Sequence, residues 1–125
     1  MQKLRLLLAL LAASLVCAGL PAATLAEAQT AADTALARAD LTAYRGWIKF
    51  LRFEAETAVA RHGADSPQAK EKTDRLADWV QRIAADPQLL GKLRGVQEWA
   101  YESPADGSGQ PFKLVIPSDY DAARP

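Results

Sequence analysis

The chain has 125 residues, and its 15 Lys plus Arg balance its 15 Asp plus Glu. A neutral chain with one histidine, His62, and one cysteine, Cys17, has little scope for metal or triad chemistry, and it lacks the clustered positive charge that phosphate-driven nucleic-acid binding depends on. A length of this order holds one domain with a modest core.

The first 28 residues read as a secretory signal. Lys3 and Arg5 give Met1–Arg5 a positive start, and Leu6–Leu20 is an apolar run of fifteen residues, shorter than the ~20 a membrane-spanning helix needs. Pro21 and small residues follow, and Ala26-Glu27-Ala28 supplies an A-x-A cleavage signal before Gln29. A lipoprotein signal would want a small residue where Val16 precedes Cys17. The expectation is export to a bacterial periplasm or beyond. No second apolar run follows, so no membrane segment is expected after cleavage. Loss of Lys3, Arg5 and Glu27 with the signal leaves 97 residues carrying 13 basic and 14 acidic side chains. Cys17 leaves too, and disulfide and thiol chemistry go with it.

Residues 29–95 read as a helical domain. Gln29–Arg38, rich in Ala and Thr, is a helical or frayed lead-in. From Asp40, the residues Leu41, Tyr44, Ile48, Leu51, Ala55 and Ala58 recur at steps of three and four, which places them on one face of a helix ending near Gly63. Trp47, Phe50 and Phe53 widen that face. Gly46 interrupts the pattern at a cost of about 1 kcal/mol relative to Ala, which suits close approach by a neighbouring helix. Ser66 (or Asp65) and Pro67 restart the chain as N-cap and first helical residue, and Leu76, Trp79, Val80 and Ile83 form the next stripe. The short connection predicts an antiparallel helical hairpin. Asp86-Pro87 ends the second helix and begins a short third one with Leu89, Leu90 and Leu93, which stops at Gly95.

Residues 96–117 read as a β-hairpin. Val96–Ser103 is strand-prone, Pro104–Gln110 is a turn cluster, and Phe112–Ile116 is a second strand between prolines. Residues 118–125 form a polar tail. The expected class is therefore α+β. A two-stranded hairpin is marginal alone in water, so either the helices cover it or its sheet continues in residues this chain does not contain.

The stretch Trp99-Ala100-Tyr101-Glu102-Ser103, with Gly109-Gln110-Pro111-Phe112-Lys113-Leu114-Val115-Ile116-Pro117-Ser118-Asp119-Tyr120-Asp121, resembles the opening of secreted α/β-hydrolases. The likeness is to the esterase and prolyl-oligopeptidase-like group, including polyhydroxybutyrate-depolymerase-type and feruloyl-esterase-type enzymes, some of which carry a helical pre-domain. It covers about 25 residues, one fifth of the chain. In that family the next strand ends in the His-Gly of the oxyanion loop, whereas this chain ends at Ala122-Ala123-Arg124-Pro125. The family's catalytic residues find no counterpart. No Gly-x-Ser-x-Gly elbow is present, Ser66, Ser103, Ser108 and Ser118 fall in caps or turns, and His62 precedes every strand.

Other tempting residues have ordinary explanations. His62 suits a helix C-terminus. Glu54 and Glu56, two apart on a helix, do not face each other and are expected to be solvated. Asp119 and Asp121 suit turn chemistry. Trp47, Phe50, Phe53, Trp79 and Trp99 are expected in the core, and Arg45, Lys49 and Arg52 on a solvated face pairing with Glu56. No catalytic, cofactor-binding or metal-binding residue is assigned. The resemblance implies the non-catalytic N-terminal portion of an exported serine hydrolase. The alternative is a complete small periplasmic helical module that binds a protein partner.

Overall fold

Thr24 opens the first helix of the described residues. The computed structural model describes residues 22–124, so the expected n-region, the apolar run and Cys17 lie outside the described residues. Helix α1 spans Leu25–Leu36, with the Thr24 side chain accepting from the Glu27 N–H. The alanine-rich lead-in is thus a regular helix. It begins four residues before Gln29, and it buries Ala28, Ala32 and Ala35.

The stripe that starts at Leu41 is not one helix. Ala39–Tyr44 forms a 3-10 segment in which Leu41 leaves helical geometry (φ −109°, ψ 17°). Helix α2 then runs Arg45–His62 and stops at Gly63, whose φ of 84° suits a residue without Cβ. The expected face is buried all the same: Leu41, Tyr44, Ile48, Leu51, Ala55 and Ala58 all point inward. Leu41 and Tyr44 reach the core from the 3-10 turn.

Helix α3, Pro67–Ala85, starts as expected, with Ser66 accepting from the Ala69 N–H and Pro67 in the first turn. It buries Leu76, Val80 and Ile83 against α2, and α1 lies against both helices. Helix α4, Leu89–Lys92, is a single turn. Leu89, Leu90 and Leu93 pack on the core from its edge.

Strands β1, Gly95–Glu102, and β2, Gly109–Ile116, form an antiparallel pair whose register runs unbroken from Gly95 opposite Ile116 to Glu102 opposite Gly109. Among the described residues no third strand joins them. The class is α+β, with four α-helices among the described residues and a C-terminal hairpin that packs on α2.

Close backbone approach makes that packing possible. A Cβ placed on Gly46 would lie 2.3 Å from Tyr101 C, 2.4 Å from Glu102 N and 2.6 Å from Ala100 O. One placed on Gly109 would lie 2.3 Å from Gly46 O. Gly46 therefore admits a neighbour, as its place in the sequence suggests, but the neighbour is the hairpin and not a helix.

Candidate functional site

The hairpin is fastened to the helices by one aromatic cluster and a set of charged contacts. Trp99 of β1 stacks on Trp47 of α2 with ring centroids 5.1 Å apart. Tyr44 and Trp79 meet Trp99 edge-on, each at 5.9 Å. Trp47, Trp99 and Tyr44 are buried, as the sequence suggests for core aromatics. Phe53 departs from that expectation: it points outward and is 66 % exposed. The Tyr44 hydroxyl donates to Pro87 O at 2.7 Å and accepts from the Leu90 N–H at 2.9 Å, so it pins α4 beside the hairpin.

Arg45, Lys49 and Arg52 do not form a free solvated face. Arg45 Nε donates to Glu102 Oε2 at 2.9 Å and Arg45 Nη1 to Leu36 O at 2.7 Å. Lys49 Nζ donates to Gly107 O at 2.8 Å and lies 3.2 Å from Glu102 Oε2. Lys49 first, and then Arg45, holds the Glu102 carboxyl below its ordinary range. Arg52 alone follows the sequence expectation: it pairs with Glu56, and with Asp33 as well.

Glu54 and Glu56 are likewise less solvated than their spacing suggests. Glu54 bridges Lys72 and Arg75 of α3, and Arg75 also reaches Glu98 of β1. Glu56 accepts from Gln29 of α1 at 2.9 Å. These two carboxylates tie elements together and are paired with cations. His62 is exposed in the last turn of α2. Asp119 and Asp121 lie in the tail, where Asp121 accepts from the Ala123 N–H and pairs with Arg124. Ser103 and Ser108 close the hairpin turn, and neither lies near His62 in the chain or shares a hydrogen bond with it. Among the described residues, no group of three His, Cys, Asp or Glu is placed to hold a metal ion, and no helix is long and apolar enough to cross a membrane.

What remains conspicuous is the far side of the hairpin. Ser103 N–H donates to Ser108 O at 2.8 Å. The alternation of an antiparallel ladder then turns the backbone groups of Val96, Glu98, Ala100 and Glu102 away from β2, and those of Gly109, Pro111, Lys113 and Val115 away from β1. Pro111, which has no N–H, sits at one of the outward places, where a strand tolerates it. Gly46 lies against Ala100 O and Glu102 N, so α2 occupies that end of β1. Among the described residues, none of the outward groups bonds to backbone outside the hairpin.

Exposed apolar side chains accompany this open edge. Val96 and Val115 form a cross-strand pair and are each 71 % exposed, and Tyr101 and Phe112 form a second exposed pair 6.2 Å apart. Beside β2 runs an open groove of about 710 Å³, lined by Leu114, Val115 and Ile116 together with Tyr44, Leu90, Trp99 and Tyr120. Residues from four separate parts of the chain make this groove, and no local sequence pattern announces it. No family model, no curated protein and no solved structure matches this chain.

Proposed function

We propose that this chain is a non-catalytic docking unit, the helical pre-domain and first two strands of an exported serine hydrolase, and that its hairpin is the start of a larger sheet. The observation that carries the reading is the unpaired outer edge of β2 beside an apolar groove. A strand added from Lys113 to Ile116 would take up the outward N–H and C=O groups of Lys113 and Val115 and would cover the groove. Pro111 would end the added ladder, because it offers no donor. A long open edge with apolar neighbours is otherwise an aggregation hazard, and a continuing sheet removes it. The likeness of Trp99–Ser103 and Gly109–Asp121 to secreted esterase-type hydrolases supports the same reading. On this account the helices brace the first strands, while nucleophile, acid and base reside in the enzyme portion that follows.

Sequencing the coding DNA beyond codon 125, in all three frames, tests the proposal. An aliphatic strand ending in His-Gly, followed later by Gly-x-Ser-x-Gly, is the expected result. A downstream region with neither would contradict it.

A second reading, a helical module that binds a protein partner through α2 and α3, rests on Phe53. That side chain stands exposed beside a groove lined by Thr57, Arg61 and Lys72. Under this reading, Phe53→Glu abolishes partner capture from periplasm while changes on β2 do not.

A further inference from the structure

We propose that export processing cuts this chain on the N-terminal side of Thr24, so that the mature protein keeps all of α1. The proposal rests on the export reading of the sequence and moves the cut away from the Ala26-Glu27-Ala28 signal. Thr24 caps the helix and pairs with Glu27: the Glu27 N–H donates to Thr24 Oγ1 at 3.2 Å, and the Thr24 hydroxyl donates to Glu27 Oε1 at 3.1 Å. The Ala28 N–H donates to Thr24 O at 3.0 Å, which closes the first turn. Leu25 packs against the core, and Ala28 is part of it at 1 % exposure.

A cut after Ala28 would remove the cap, Leu25 and Ala28 together. It would also set a new ammonium at Gln29, on the end of the helix where the macrodipole disfavours positive charge. Gln29 donates to Glu56 from this same turn, so fraying would loosen the tie between α1 and α2. Ala28 therefore has a packing reason to be small, independent of any peptidase. Upstream, Ala18, Gly19, Ala22 and Ala23 are small residues that can precede the cut, and Ala22-Ala23 leads into the cap in non-helical conformation.

The test is the intact mass of the periplasmic product when the full 125-residue chain is expressed in a Gram-negative host. An N-terminus at Thr24 or up to five residues before it, after one of those small residues, is expected. A product starting at Glu27 or Gln29 would overturn the proposal and leave the export reading standing. An uncleaved chain retained in the cytoplasm would overturn both. The variant Ala26→Leu supplies a second readout, since Ala26 is exposed on α1 yet fills the upstream small position of the A-x-A signal. Its ratio of mature to precursor chain is expected to equal that of the parent, and accumulation of precursor would overturn the proposal.

Discussion

Trp47 of α2 and Trp99 of β1 stack with 16° between their ring planes, and this pair joins the helical layer to the hairpin. Trp99 is only 5 % exposed and also touches Tyr44 and Trp79. Truncating a buried aromatic of this size removes transfer free energy and leaves a cavity. Trp99→Ala is therefore expected to cost about 3–5 kcal/mol by chemical denaturation. Phe53→Ala, on the same helix as Trp47 but exposed, is expected to stay within about 0.5 kcal/mol of the parent. Equal losses for the two would mean that the stack does not hold the hairpin.

Gly46→Ala sets helix propensity against sterics. Alanine is favoured over glycine in a helix by about 1 kcal/mol, but here the added Cβ would enter the backbone of Tyr101 and Glu102. Overpacking of this kind costs about 1–3 kcal/mol or more, and rigid backbone has little room to yield. A net loss of stability is expected, with loss of near-ultraviolet circular dichroism from the tryptophan cluster. Gly91→Ala, whose Cβ would meet only Ala122 Cβ at 3.6 Å, is the tolerated control.

Tyr44→Phe isolates one hydroxyl. Its removal leaves Pro87 O and the Leu90 N–H without their partner. Unsatisfied groups near a core cost about 1–3 kcal/mol. The expected signature is a lower thermal midpoint together with faster amide exchange at Leu90, while the α2–α3 interface keeps its protection.

Glu102 makes the hairpin contact acid-sensitive. Its carboxyl is held below the ordinary value of 4.5 by Lys49 and then Arg45. A folded-state value below the unfolded one favours folding above the unfolded value, and the advantage fades as pH falls through the folded one. Thermal midpoints of the parent are thus expected to fall as the medium is acidified below that range. Glu102→Gln is expected to be less stable at neutral pH and to show a shallower acid decline. Coincident curves for the two proteins would show that the contact contributes nothing to stability.

The parts of this fold legible in the sequence are those with local physical causes. Ser66-Pro67 marks a helix start because a hydroxyl cap and a residue without N–H suit that place. Gly63 marks a stop because it tolerates positive φ. Helix α1 is harder to read, since alanine and threonine give little contrast between faces. Its signal is the spacing of Ala28, Ala32 and Ala35, all buried. The break at Leu41 is hidden because apolar spacing continues across it. The roles of Arg45 and Lys49 are hidden because Glu102 and Gly107 lie more than fifty residues away along the chain. The groove beside β2 is hidden for the same reason: Tyr44, Leu90, Trp99 and Leu114 meet only in the folded chain.

On the proposed reading, the outer edge of β2 is open and receives a strand. Residue-resolved amide exchange on this chain tests it most directly. The outward N–H groups of Lys113 and Val115 are expected to exchange at nearly unprotected rates, while those of Phe112 and Leu114, which face β1, are strongly protected. Protection of Lys113 and Val115 equal to that of Phe112 and Leu114 would mean that the edge is already covered and that no strand can be added there.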